Sequence, residues 1–186
     1  CDTVDGEPLS EWDIISMLSA IVNGGNETTM NLISNLLWRL LEVPERWEQL
    51  KSDPSLIPTA IEESLRYDPP VLGMFRGAVD DVEFHGITIP KDARIMYNMA
   101  AANRDPSIWE DPDEFRIDRK MADVRKHLSF SSGHTMCLGA ALARMEVKQV
   151  FEALVKRMPN LRLIGEPTRA PGFNFNGQKD LPVAWG

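Results

Sequence analysis

Cysteine is almost missing from this 186-residue chain: only Cys1 and Cys137 occur, and no CxxC pair. That excludes a disulfide framework, and dithiol redox work with it. The chain therefore reads as intracellular, and a cytoplasmic protein is expected. Basic residues are also short, 20 against 28 acidic ones, for a net charge of −8. General nucleic-acid binding is argued against, because it needs a basic surface to displace counterions from phosphate. Long hydrophobic runs are missing too: the greasiest stretch, residues 14–22, contains Ser16 and Ser19. A membrane span needs roughly 18 to 20 uninterrupted apolar residues, so no membrane segment is expected. Repeats, low-complexity tracts and a clear domain linker are absent as well.

What is present is a globular composition, 43% hydrophobic and 26% charged, enough for one or two buried cores. The opening CDTVDGEPLSE looks like a linker entering a helix, and with no initial Met the chain is expected to be a piece of a longer protein. Residues 10–41 are helical in pattern: Ile14, Met17, Leu18, Ile21 and Val22, then Leu32, Ile33, Leu36, Leu37 and Leu40, recur at three and four. Ser10 is a natural N-cap and Pro44 closes the other end. At about 1.5 Å per residue such a helix spans roughly 48 Å, enough to cross something large. Its apolar stripe is broken at NGGNETT, residues 23–29. A local rule broken inside an element is where a functional site is expected.

Two shorter helices are predicted at 44–50 and 57–67, the second halted by Asp68-Pro69-Pro70. Residues 82–89 alternate around a Gly turn and 93–96 continue as a strand, giving a small antiparallel sheet. A long irregular stretch covers 103–130, and loops of that length are usually functional. Residues 137–158 are helical again, with Leu142, Met145, Val150 and Leu154 inward and Arg144, Lys148 and Lys156 outward. The tail reads as a strand at 161–164, then a hairpin over 173–185 around Asn176-Gly177.

Cys137 follows a glycine-containing loop and opens a predicted helix. There the dipole and free N–H donors stabilise the thiolate, the form that ligates metal. An isolated cysteine is by default a small buried hydrophobe; its neighbours decide otherwise. Phe130, Gly133, Cys137 and Gly139 fill every fixed position of F-x-x-G-x-x-x-C-x-G, and the segment resembles the cysteine-ligand loop of the cytochrome P450 family. Gly24-Gly25-Asn26-Glu27-Thr28 resembles that family's distal-helix pattern, and Glu63-Ser64-Leu65-Arg66 its E-x-x-R motif. The likeness runs along essentially the whole chain, while what family members carry before the long helix is absent.

The resemblance implies a fold that is mainly α with small antiparallel β-sheets (α+β), the C-terminal half of the cytochrome P450 fold. Residues 1–186 would be its haem-binding part. It implies haem b, with Cys137 as iron ligand, Phe130 packed against it, and Gly133 and Gly139 letting the backbone approach the ring. Glu27 and Thr28 would deliver protons, and Gly24 and Gly25 would let the helix bulge to admit dioxygen. Glu63 and Arg66 would form a buried structural pair joined by Arg119. Arg76 would hold a haem propionate. His134 or Thr135 would hold the other, with His134 favoured, although relatives usually place the second partner where Thr135 stands.

Substrate contacts would come from Ala20 and Gly24, from Val71, Leu72, Gly73, Met74 and Phe75, and from Phe173, Asn174 and Phe175, so a small apolar organic substrate is expected. Residues 116–148 carry a local +4 in a chain whose remainder is −12, which suits an acidic electron donor; by resemblance, a ferredoxin. The activity expected is that of a haem-thiolate monooxygenase. The alternatives are a peroxide-dependent haem-thiolate enzyme, an inactive fragment, and a zinc module of Cys137, His127 and His134, whose spacing repeats no zinc pattern.

Overall fold

The computed structural model describes residue 6 and residues 8–186. Cys1 and most of the opening segment, read above as a linker, lie outside the described residues. The first helix, α1, is Glu11–Leu41, 31 residues without a break. Ser10 caps it as expected, through a capping box in which the Asp13 N–H donates to Ser10 Oγ and the Ser10 N–H to the Asp13 carboxylate. Its two halves behave differently. Leu32, Leu36 and Leu40 are buried, whereas Ile14, Met17, Leu18, Ile21 and Val22 are exposed.

Helix α2, Pro44–Ser52, and helix α3, Ile57–Tyr67, follow. Residues 60–66 of α3 are all buried, two glutamates and an arginine included. Beyond the short α4, Met99–Ala102, and α5, Met121–Val124, the last helix is α6, Ala140–Arg157. One core joins α1, α3 and α6: Leu36, Leu40, Ile61, Leu65, Val147 and Phe151 are each 2% exposed or less.

The helix predicted from 137 therefore starts three residues later, at Ala140. Its inward face also differs from the expectation, since Leu142 and Met145 are exposed. At 100° per residue the stripe that packs is Ala140, Arg144, Val147 and Phe151, and Leu142 and Met145 lie opposite Val147 on the helix wheel.

Among the described residues four two-stranded antiparallel sheets complete the fold. Strand β1, Gly73–Gly77, is followed by β2, Val82–Phe84, and β3, Ile87–Ile89. β2 and β3 pair through His85-Gly86, whose φ values of 50 and 78 make the tight turn. The strand expected at 93–96 is β4, Arg94–Asn98, and its partner is β1 rather than the hairpin. Gly73 permits that pairing, since a Cβ there would lie 2.5 Å from the Tyr97 carbonyl oxygen.

The tail departs further from the expectation. β5, Arg162–Leu163, pairs with β8, Val183–Ala184, and nested inside them β6, Thr168–Arg169, pairs with β7, Gln178–Asp180. Asn176-Gly177 turns no hairpin, because the Asn176 amide and side chain are spent on the Pro70 and Pro69 carbonyls and on Asp68. Among the described residues no helix is long and apolar enough to cross a membrane.

Candidate functional site

The loop before α6 is closed on itself by the Cys137 N–H, which donates to the Phe130 carbonyl at 2.8 Å. Between them the chain reverses through Ser131, at φ 59, and Gly133, at φ 66, into a single 3-10 turn at Gly133–Thr135. Gly133 supplies the left-handed conformation without steric cost; Ser131 reaches it with a side chain. The loop is docked on the β1–β4 sheet: Tyr97 Oη lies 3.1 Å from Ser131 Oγ, and Arg76 Nη2 donates to Thr135 Oγ1 at 2.9 Å.

The Cys137 thiol that this loop presents is exposed and free. It precedes the α-helix by three residues instead of opening it. Arg76 has no acidic partner among the described residues and is held by the Phe75 carbonyl, Tyr97 Oη and Thr135. Thr135, not His134, is thus the loop residue beside that cation. Open space surrounds the Cα positions of Gly24, Gly25 and Gly133, where an added Cβ would meet nothing within 4 Å.

On α1, Ala20, Gly24, Gly25 and Glu27 are exposed and Thr28 is half-buried. The helix does not bulge at the glycines; instead the Thr28 hydroxyl donates to the Gly24 carbonyl. Among the described residues no hydrogen bond or ion pair joins this pair to the cysteine loop. The expected substrate segments do meet. The Leu72 N–H donates to the Asn174 carbonyl and the Gly73 N–H to its side chain, Val71 bridges Phe175, and the Phe75 and Phe173 rings stack at 6.2 Å. Met74 is exposed on the same strand.

Helix α3 gathers the ion pairs. Glu63 and Arg66, both 0% exposed, pair through two bonds of 2.8 Å, and Arg119 Nε reaches Glu63 Oε1 at 3.1 Å. The Arg116 N–H adds a fourth donor to the carboxylate at 2.8 Å. The remaining donors of Arg66 go to the carbonyls of Asn103, Pro112 and Glu114, and those of Arg119 to Glu110, Asp111 and Glu114. This orders an irregular stretch that lacks a ladder of its own: its carbonyls bond to buried guanidinium groups.

A second buried carboxylate, Glu62, was not singled out from the sequence. Arg144 grips both its oxygens, at 2.6 and 2.9 Å, and His127 Nε2 lies 2.9 Å from Oε2. Burial works to raise the Glu62 pKa, but the hydrogen bonds from His127 and Arg144 and the Arg144 charge outweigh it and bring it to about 2. The signal available in the sequence was Arg144 itself. It lies on the stripe of Ala140, Val147 and Phe151, so an inward arginine calls for a carboxylate. The same contacts exclude the zinc alternative: the Ser129 N–H donates to His127 Nδ1, so both ring nitrogens are engaged. Among the described residues no group of three metal-ligating side chains forms.

The family profile described as "Cytochrome P450" matches residues 2–158. The biotin biosynthesis cytochrome P450 of Bacillus subtilis (strain 168) is 41% identical over 180 residues, covering 96% of this chain and 45% of that protein. Linalool 8-monooxygenase of Pseudomonas putida is 36% identical over 180 residues, 97% of this chain and 44% of its own length. Among solved structures, P450BioI in complex with hexadec-9Z-enoic acid ligated acyl carrier protein superposes with a TM-score of 0.91 at 40% identity, over 98% of this chain and 47% of that one. The chain spans about half the length of the relatives it matches. Sequence, backbone and the motif-bearing loop thus agree, and the chain belongs to the cytochrome P450 family.

Proposed function

We propose that this chain is the haem-thiolate part of a monooxygenase that inserts one atom of dioxygen into a small apolar organic substrate, with electrons from a redox partner. The observation that carries the reading is the free, exposed Cys137 thiol on a loop closed by the Phe130 carbonyl and docked on β1–β4 beside Arg76. The donor set fits haem b: a lone thiol for the iron, a cation without an acid partner for a propionate, and open backbone at Gly24, Gly25 and Gly133 for a flat ring. Thr135 is the second propionate contact in this reading. A haem held by Cys137, Arg76 and Thr135 would supply dioxygen activation, and a thiolate ligand would favour O–O cleavage. Spectroscopy of the reduced, carbon monoxide-bound protein tests it: a strongly red-shifted haem band is expected, and its absence would overturn the assignment. A cytoplasmic setting agrees with a thiol that must stay reduced.

In this reading Glu27 and Thr28 are the acid and alcohol that would hold and pass protons. This relay favours dioxygen over peroxide as oxidant, since a peroxide user needs none. Thr28→Ala should keep haem and continue to consume reductant while product per electron falls and hydrogen peroxide accumulates. Coupling equal to that of the unaltered protein would remove Thr28 from the relay.

The substrate lies against Val71, Leu72, Met74, Phe75, Phe173 and Phe175, with Ala20 on α1. Apolar contact dominates this set, and relatives named for the oxidation of linalool and steroids support an apolar ligand. A ferredoxin is the donor the charge suits, on a smaller patch than composition implied. Arg144 is held by Glu62, Arg119 by Glu63, and Arg116 by Asp111 and Asp118. Lys120, Arg125 and Lys126 remain exposed, although Lys126 pairs with Asp123 at 2.7 Å and Arg125 approaches Glu62 at 3.6 Å, and Lys120 and Lys126 line one cleft. Reduction by a ferredoxin should slow as salt rises, and Lys120→Glu with Lys126→Glu should flatten that dependence. A rate indifferent to salt would reject this docking face.

A further inference from the structure

We infer that Glu62 is a positioning residue for the Cys137 loop, its carboxylate tying the chain on both sides of that loop to α3 through His127 and Arg144. The inference rests on the reading of Cys137 as iron ligand. His127 stands three residues before Phe130, where the chain enters the loop, and Arg144 stands in the first turns of α6, where it leaves. Glu62, 2% exposed, bonds to both: Oε2 accepts from His127 Nε2 and Arg144 Nη2, and Oε1 from Arg144 Nε. Arg125 approaches the same carboxylate at 3.6 Å from outside.

The two partners then converge on one ring. The Arg144 guanidinium lies 4.5 Å from the centroid of Phe130, and the His127 ring lies 6.0 Å from it. The Phe130 carbonyl in turn accepts the Cys137 N–H. A continuous set of contacts therefore runs from a buried carboxylate on α3 to the backbone of the ligand residue. Among the described residues Glu63, one position along, and its partner Arg66 form no hydrogen bond or ion pair with the loop; apart from the bonds between them, theirs go to residues 103–119. The two neighbouring glutamates thus serve different parts of the chain.

The entering strand has further ties to α3, since Ser129 Oγ donates to the Leu65 carbonyl, and Asn103 bonds Ser129 Oγ and the Leu128 N–H. On the leaving side Arg144 is the polar tie to α3, beside the apolar packing of Val147 and Phe151. Removing the Glu62 charge should therefore loosen the loop from that side while the Ser129 bond to Leu65 on α3 and the Asn103 bonds to residues 128 and 129 persist.

The test uses the haem-loaded protein carrying Glu62→Gln, which keeps the side-chain shape and loses the charge. Two quantities are read: hydrogen exchange at the Cys137 amide, and the ratio of the red-shifted thiolate band to the shorter-wavelength thiol band of the carbon monoxide complex. Glu62→Gln should speed that exchange about tenfold and shift the ratio toward thiol. Arg144→Lys, which keeps a charge but cannot span both oxygens, should do the same, and it decides the matter if Glu62→Gln fails to fold. Leu50→Ala lowers stability from within the core at α2 and should move neither quantity. Exchange and band ratio unchanged in Glu62→Gln, or equally changed in Leu50→Ala, would overturn the positioning role. Faster exchange in a protein that never shows a thiolate band would instead overturn the ligand reading beneath it.

Discussion

Cys137→Ser is expected to leave the chain folded and to abolish thiolate ligation, the red-shifted carbon monoxide band and substrate oxygenation together. The side chain is exposed and its sulfur has no structural partner, so the stability change should stay within about 0.5 kcal/mol, the usual range for a surface substitution. The bond that shapes the loop, from the Cys137 N–H to the Phe130 carbonyl, belongs to the backbone and survives the replacement. Serine offers a neutral hydroxyl where the iron needs an anionic sulfur to push electron density toward oxygen. The loss is therefore chemical, not conformational. Oxygenation at the unaltered rate in Cys137→Ser would remove the haem-thiolate reading altogether.

Glu63→Ala should act in the reverse manner, damaging the fold before the chemistry. Arg66 is fully buried and sends two of its bonds to Glu63; Arg119 and the Arg116 N–H send one each. Deleting the carboxylate leaves a guanidinium without its counter-charge in the core, a loss of roughly 3 to 5 kcal/mol. Against a total stability of about 5 to 15 kcal/mol this takes most of a small domain's margin. Urea unfolding should show a lower midpoint with an unchanged slope, and haem should be retained poorly. An unfolding free energy lowered by less than about 1 kcal/mol would mean that the pair is not a determinant of the fold.

Elements specified by local chemistry were legible in the sequence. Ser10 as a cap, the proline stop after Tyr67, the His85-Gly86 turn, and the spacing of Phe130, Gly133, Cys137 and Gly139 each act within a few residues. What could not be read depends on distant partners. β1 has the sequence Gly-Met-Phe-Arg-Gly, with no alternation to mark it, and becomes a strand because Gly73 lets Tyr97 come close. Asn176-Gly177 has the composition of a hairpin turn, yet Asp68 claims the asparagine from more than a hundred residues away.

The outward face expected for Arg144 and the silence of the sequence about Glu62 have one cause. Choosing Leu142 and Met145 as the inward stripe turned Arg144 toward solvent on paper, and so hid the carboxylate that needs it. The same choice enlarged the basic patch, because the cation on α6 was counted as surface charge when a buried acid already neutralises it. The packed stripe of Ala140, Arg144, Val147 and Phe151 resolves both.

The polar hub on α3 and the apolar rim formed by residues 71–75 and 173–175 share no side chain. The rim is held by backbone bonds and by Asn174, so Val71, Met74, Phe75, Phe173 and Phe175 are free of buried charge. If these residues line the substrate site as proposed, substitution there would alter which substrate is taken at little thermodynamic risk, whereas substitution in the hub endangers the whole chain. On the proposed reading such a division would make the protein evolvable: ligand preference could drift by single steps while the scaffold around Cys137 stays constant.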